Sequence, residues 1–313
     1  MHLMGRTVAT CMGRFTPAMV GLIQNILPEV EFVPSGEGAS SDVLLVMLDD
    51  REAAAGIVEA ITPEVRWVHV FNAGMDKFPL HAVGDRVLSG SRGAAAPAIA
   101  EWVLAVMLAF AKRLPASWVT EPPEHWGAAG LAALKDKTLG LIGLGEIGRE
   151  VARRALAFDM NVRAVRRTGA PSPLPGVEVV TSLNDMLAVS DHVIVTAPAT
   201  PATKHLLDSG AFAAMKPGAH LVNIARGSLI DQDALLAALD AGTVATASLD
   251  VVEPEPLPAG HALYAHPNVR VSPHISWSSP DTIRRTIEIF AENLRRYDAG
   301  EPLQGTIDVK EGY

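Results

Sequence analysis

The chain has 313 residues, 49% of them hydrophobic, enough for two modest domains that each bury a core. Its formal charge of −9 excludes a general nucleic-acid binder, which needs a basic surface. The single cysteine, Cys11, excludes an intrachain disulfide and suits a reducing compartment.

Cys11 lies in the apolar run TVATCM and reads as a core thiol. The opening MHLMGRTVATCM has no long apolar segment of the signal-peptide kind, and no stretch reaches the roughly 18 apolar residues of a membrane span. The expectation is a cytoplasmic protein with no membrane partner.

The first 95 residues alternate short strand-like and helix-like segments. RTVATCM reads as a strand and PAMVGLIQNIL as a helix with Pro17 near its start. EFVPSG is a short strand and turn. DVLLVML and VRWVHVF are continuous apolar strands of the kind buried on both faces, with the helix REAAAGIVEAI between them. RVLSGS closes this small, parallel α/β layer. Residues 96–114, APAIAEWVLAVMLAFAKRL, form a helix apolar almost all round, so it needs cover on most sides. It either crosses between domains or packs on a second subunit. A protruding connection, PASWVTEPPEHWGAAG, follows.

From Thr138 the pattern restarts. TLGLIGLGEIG is strand, glycine turn and helix start; GREVARRALAFD is the helix and NVRAVRR the next strand. SLNDMLAVS, DSGAFAAMK and DQDALLAALDAG read as helices, separated by the strands HVIVTAP and AHLVNIA. TASLDVV and VRVSPHI are two further strands, and PDTIRRTIEIFAENLRRYDAG is a long terminal helix. The second block is a doubly wound α/β unit.

GLGEIG fits G-x-G-x-x-G at Gly143, Gly145 and Gly148, between an apolar strand and an amphipathic helix. Gly143 permits the tight turn, Gly145 lets a pyrophosphate approach, and Gly148 lets helix and strand pack closely. The helix start offers free N–H groups to phosphate. A dinucleotide site specific for NAD carries an acid roughly 20 residues further on, for the ribose 2′-hydroxyl. Here Arg166, Arg167 and Thr168 stand instead. Guanidinium groups pair with a 2′-phosphate that an acid would repel, so NADP(H) is the expected cofactor. The other reading puts one or both arginines at the surface and leaves NAD(H) open.

Three later strand ends carry chemistry. NIARGSLID offers Arg226, LDVVEPEPLP offers Asp250, Glu253 and Glu255, and VSPHISWSS offers His274. Taken singly, each has a structural explanation: a surface arginine, a loop carboxylate beside Pro256, a histidine packed after Pro273. In a doubly wound sheet, though, the carboxyl ends of strands converge on one crevice. His261 and His266 sit in a polar loop and look solvated. No His, Cys, Asp or Glu grouping has metal-ligand spacing, so no metal is expected.

These segments resemble the D-isomer-specific 2-hydroxyacid dehydrogenase family over nearly the whole chain. The likeness is strongest in GLIGLGEIGRE, TAPATPATKHLLD, LVNIARGSLIDQDALLAAL, LDVVEPEPLP and HPNVRVSPHIS. It implies two Rossmann-like or flavodoxin-like α/β domains with parallel sheets: a substrate domain of residues 1–95 and 281–313, and an inserted dinucleotide-binding domain of residues 96–280. RGAAAPAIAEWVLAVML is similar to the family's domain-crossing helix, which builds its dimer interface, and implies a homodimer.

The resemblance also implies roles. Arg226 would bind the substrate carboxylate and polarise the 2-oxo group. His274 would donate the proton, paired with Glu255 rather than Glu253. NAGMD matches the substrate-carboxylate loop, so Ala73, Gly74 and Met75 would offer backbone N–H groups. Gly143, Gly145, Glu146, Ile147, Gly148, Arg166, Arg167, Thr168, Ala197, Pro198, Thr203, Ala225 and Asp250 would line the cofactor, with Asp250 at the nicotinamide carboxamide.

The implied reaction is NADPH-dependent reduction of a small 2-oxo acid, with glyoxylate and hydroxypyruvate as candidates. Ala73 stands where a phosphite-oxidising relative carries lysine, and Glu255 where a formate-oxidising relative lacks the acid. An NAD-dependent dehydrogenase of another 2-hydroxy acid and a dinucleotide-sensing corepressor remain the alternatives. Three positions depart from the family or stand outside its pattern. Trp102 replaces a common histidine, Trp277 either walls the pocket or packs, and Leu48 reaches the pocket by position alone.

Overall fold

The computed structural model describes residues 5–12, 16–36, 40–47, 51–71, 74–75, 77–127 and 130–309. The chain divides into two compact units, one of residues 1–95 with 279–313, the other of residues 96–278.

The first unit runs β1 (Arg6–Cys11), α1 (Thr16–Ile26), β2 (Val30–Pro34), β3 (Val43–Val46), α2 (Arg51–Ala60), β4 (Trp67–Val70) and β5 (Val87–Gly90). The strands form a parallel sheet in the order β2-β1-β3-β4-β5. Every residue of β3 and β4 is buried, because successive side chains enter cores on opposite faces. Trp67 joins Val8, Ile23 and Leu45 on one face, and Val68 joins Leu44, Val46 and Leu88 on the other. Cys11 is half-buried at the edge of the second cluster rather than inside a core.

A long helix, α9 (Pro280–Ala299), returns to this unit, capped by Ser279 and ended by Gly300 in the left-handed region at φ 68°. Its Phe290 lies 5.8 Å from Trp67, ring to ring, and its Leu294 is fully buried beside them. After α9 the chain adds to the β5 edge, with Gly90 N–H donating to Gly305 O (3.0 Å) and Ile307 N–H to Leu88 O (3.0 Å). His69 is fully buried, with Nδ1 2.8 Å from Ser89 Oγ and Nε2 3.1 Å from Ser91 Oγ; burial lowers its pKa to about 3.

The second unit runs α3 (Ala96–Ala111), β6 (Thr138–Ile142), α4 (Glu146–Ala157), β7 (Asn161–Val165), β8 (Val177–Val180), α5 (Leu183–Leu187) and β9 (His192–Val195). It continues with α6 (Ser209–Ala213), β10 (Ala219–Asn223), α7 (Gln232–Asp240), β11 (Val244–Leu249), α8 (Ala262–Ala265) and β12 (Val269–Val271). Its parallel sheet has the order β12-β11-β10-β9-β6-β7-β8, which reverses direction of travel at β6 and so opens a crevice beyond the carboxyl ends of β6 and β9.

Two elements are absent from the sequence reading. β8, VEVV, is a four-residue edge strand paired only to β7, and α8 is a single turn. His261 caps α8 by accepting from Leu263 N–H (3.2 Å), and His266 Nδ1 accepts from Asn268 N–H (3.2 Å), so both histidines have structural work rather than being merely solvated. α3 ends at Ala111, short of Leu114. The connection after it exposes Trp118 (71%) and Trp126 (83%).

At the amino-terminal end of this sheet two histidines are buried together. His192 Nδ1 lies 3.2 Å from His220 Nδ1, and His220 Nε2 lies 3.0 Å from Ser248 Oγ. Phe110 stacks on His220 with ring centroids 4.6 Å apart. Burial lowers His192 to about 4 and His220 well below the ordinary value.

Candidate active site

The glycine turn follows β6. Gly143 has φ 103°, and a Cβ there would stand 2.9 Å from Thr196 Oγ1 and 3.0 Å from Ala197 N, so only glycine fits. A Cβ at Gly148 would stand 2.6 Å from Gly143 O, which explains the close approach of α4 to the turn. Gly145 is different: nothing lies within 4 Å of where its Cβ would be, and it is exposed at the start of α4. That open cradle, lined by the first N–H groups of a helix, suits a dinucleotide pyrophosphate.

The other cofactor candidates sit around the same strand ends. Ile147 is half-buried, and the exposed Glu146 is paired with Arg149. Ala197 is buried and Pro198 exposed after β9; Thr203 Oγ1 donates to Pro198 O (2.7 Å) and closes that turn. Beyond β7, Arg166 is half-buried and Arg167 and Thr168 are exposed. Arg166 Nη1 donates to Pro171 O (3.3 Å) and Thr168 Oγ1 accepts from Ala170 N–H (3.4 Å), so these side chains order their own loop.

Arg226 follows β10. Asn223 makes the turn that presents it, accepting from Ala225 N–H (3.0 Å) and donating to Arg226 O (2.9 Å). Arg226 Nη1 also donates to Ala225 O (2.7 Å). Gly227 then presses on the chain after β11: a Cβ there would stand 2.1 Å from the Val252 carbonyl carbon. That contact brings the Arg226 segment against the one bearing Glu255.

His274 follows β12 in the left-handed region, at φ 54°. Asp250, 1% exposed, holds this turn: its carboxylate accepts from Ser272 Oγ, from Ile275 N–H (2.9 Å) and from Ser276 N–H (2.9 Å). His274 N–H donates to Asp250 O (2.9 Å), and Trp277 Nε1 donates to His274 O (2.8 Å) with its ring 44% exposed. A histidine can hold this unusual backbone conformation because contacts on both sides fix it.

The structure brings three predicted residues together. His274 Nδ1 lies 3.0 Å from Glu255 Oε2, and Glu255 Oε1 accepts from Val252 N–H (3.2 Å). Partial burial works to raise the Glu255 carboxyl. The His274 hydrogen bond and charge, the Val252 N–H and the Arg226 charge outweigh it and hold the group below its ordinary 4.5. Glu253 is exposed, its backbone held by Gln232. A carboxylate-bound imidazole beside a guanidinium can bind a 2-oxo acid anion and hand a proton to its carbonyl oxygen.

Of the substrate-loop candidates in the first unit, Met75 is 7% exposed and accepts from Phe78 N–H through its carbonyl (3.0 Å), and Gly74 is half-buried. Ala73 and Leu48 lie outside the described residues. Among the described residues no group of His, Cys, Asp or Glu could hold a metal ion, and no helix is long and apolar enough to cross a membrane.

Residues 104–276 match the model of the D-isomer specific 2-hydroxyacid dehydrogenase, NAD binding domain. The chain belongs to the D-isomer specific 2-hydroxyacid dehydrogenase family. This dehydrogenase is 32% identical over 275 residues to a glyoxylate reductase of Thermofilum pendens, spanning 83% of this chain and 79% of that one. It is 34% identical over 271 residues to a hydroxypyruvate reductase of Thermotoga maritima, spanning 84% and 83%. Relatives named D-3-phosphoglycerate dehydrogenase also match, at 29–34% identity.

Among solved structures, the D-isomer specific 2-hydroxyacid dehydrogenase of Xanthobacter autotrophicus Py2, in complex with NADPH and MES, superposes with a TM-score of 0.84. It is 28% identical and covers 99% of this chain and 100% of that one. The dehydrogenase is therefore an NAD(P)-dependent oxidoreductase of small 2-oxo and 2-hydroxy acids.

Four residues that hold the site escaped the sequence reading: Asn223, Gly227, Gln232 and Ser272. For Asn223 and Gly227 a signal was present, since an Asx turn and a glycine flank Arg226 directly. For Gln232 and Ser272 there was none, because their partners lie 21 and 22 residues away.

Proposed function

We propose that this enzyme reduces glyoxylate or hydroxypyruvate with NADPH. The hydrogen-bonded pair of His274 and Glu255 beside Arg226 carries the reading of the reaction. Arg226 binds the substrate carboxylate and draws electron density toward the 2-oxo oxygen. His274 holds a proton at Nε2 for that oxygen, and Glu255, ionised, stabilises the imidazolium at Nδ1. Gly143, Gly145 and Gly148 with the start of α4 would hold the dinucleotide. A bound nicotinamide dinucleotide supplies the hydride. The two carboxylates serve His274 in different ways in this scheme: Asp250 fixes the backbone turn that bears it, and Glu255 meets its ring at Nδ1.

The preference for NADPH rests on Arg166, Arg167 and Thr168 after β7, where no acid stands to repel a 2′-phosphate. The substrates rest on the relatives named for them. Initial rates with glyoxylate and hydroxypyruvate, each with NADPH and NADH side by side, test both. The Arg166→Ala, Arg167→Ala double variant should weaken NADPH about 10-fold to 100-fold and leave NADH within about threefold, the loss of one or two charge-assisted hydrogen bonds. Equal weakening of both cofactors would return the arginines to the surface.

The enzyme works as a homodimer in this reading. α3 keeps Trp102, Val106 and Ala109 half-exposed, and Trp118 and Trp126 follow it, giving a second copy of the chain an apolar surface to cover. Sedimentation at micromolar concentration reads the mass; a monomer there would remove this part.

A further inference from the structure

Glu255 lies between β11 and α8 on a segment without regular structure, yet its carboxylate must meet one nitrogen of His274. Its hydrogen bond to Val252 N–H comes from the same segment and cannot anchor it to the sheet. The anchor comes from Gln232. Its side-chain amide donates from Nε2 to Glu253 O (2.5 Å) and accepts at Oε1 from Glu253 N–H (3.1 Å). One primary amide thus takes both the N–H and the C=O of a single residue, two positions before Glu255. A pair of bonds to one residue fixes its rotation as well as its place.

The mount is itself rigid. Gln232 is the first residue of α7, directly after Asp231, whose carboxylate accepts from Asp233 N–H and Ala234 N–H (3.1 Å each) and whose N–H donates to Leu207 O (3.0 Å). Gly227 presses on the same segment at Val252. We infer that Gln232 is a positioning residue for the proton-donating pair: it holds the Glu253 backbone so that Glu255 meets His274.

The side chain is chosen by its chemistry. A side-chain amide carries its donor and its acceptor on two separate atoms of one uncharged group, the pairing that the C=O and N–H of a single residue call for. A glutamate would keep the bond from Glu253 N–H, lose the one to Glu253 O, and add a negative charge beside Glu253 and Glu255. Alanine keeps neither bond.

The inference rests on the reading of Glu255 and His274 as the proton-donating pair, and the experiment separates the two. The full-length protein, Gln232→Ala, Glu255→Gln and the double variant are compared for kcat, KM for NADPH, and the pH profile of glyoxylate reduction, with Tm taken on each. Gln232→Ala should lower kcat about threefold to tenfold with KM for NADPH unchanged, the size of one or two lost hydrogen bonds. Its alkaline limb should move to lower pH, as in Glu255→Gln, and the double variant should be no slower than Glu255→Gln alone.

If Gln232→Ala slows Glu255→Gln by the same factor as it slows the wild type, or leaves kcat unchanged, the positioning role is overturned while the pair stands. If Glu255→Gln itself changes neither kcat nor the pH profile, the pair and the inference fall together. Where Gln232→Ala folds poorly, Gln232→Glu serves in its place, with a loss of kcat that again vanishes in the Glu255→Gln background.

Discussion

Replacing His274 with glutamine lowers kcat for 2-oxo acid reduction about 10²-fold to 10⁴-fold, the usual worth of a positioned general acid. Glutamine has similar length and can still donate a hydrogen bond, so the substrate can bind; it cannot give up a proton. The affinity for the dinucleotide should hardly change, because the cradle at Gly143–Gly148 is built from a different strand end. Reduction consumes a proton and oxidation of the 2-hydroxy acid releases one, so the equilibrium should move toward oxidation as pH rises.

Glu255 does not compete for that proton. Its folded-state pKa lies below 4.5, so the stability of its pairing is present above that value and is lost only as pH falls through the lowered one. Single-turnover rates across pH 6–10 check the assignment. A glutamine variant within about tenfold of wild type at every pH would remove His274 from the chemistry.

Stability should fall steeply on mild acidification, and for a reason away from the active site. His69, His192 and His220 are buried neutral, with folded-state values of about 3, about 4 and well below 6.5. The unfolded chain binds protons on all three as pH falls through 6.5, while the folded chain refuses them. Each then costs about 1.4 kcal/mol per pH unit, or roughly 4 kcal/mol per unit for the three, between about pH 6 and pH 4.

Geometry points the same way. The contact between the two Nδ1 atoms of His192 and His220 needs one acceptor, and a protonated ring has none. Burial, with Lys137 acting the same way, outweighs Asp191, which favours a proton on His192. Calorimetry from pH 8 to pH 5 should show Tm dropping with each step below 6.5. In His220→Asn the decline should be shallower by about a third, since one of three proton sites is gone. A Tm constant from pH 7 to pH 5 would mean that the rings are not buried neutral.

The sequence displays the strands that are buried on both faces, because β3 is an unbroken apolar run and β4, β9 and β10 are apolar but for one or two residues each. It hides β8, whose four residues follow a stretch rich in proline and glycine and pair on one side only. α8 is hidden for a similar reason, since one turn has no period to read. The glycine turn, Arg226, Glu255 and His274 stand out because strand ends place them. The parts that make them a site do not. Val252 against Gly227, Asp250 under the His274 turn and Gln232 on Glu253 are contacts between segments that meet only once the sheet has formed.

The division of the chain has a consequence for how it is made. Residues 96–278 form one uninterrupted unit, whereas the other unit needs Phe290 and Leu294 from α9 to fill its core and Ile307 to finish its β5 edge. During synthesis the first 95 residues leave the ribosome with Trp67 and its neighbours uncovered and stay so while nearly the whole second unit is translated. The later-made unit can therefore fold before the earlier one, and the exposed apolar strands of the first are in a chaperone's reach for that interval.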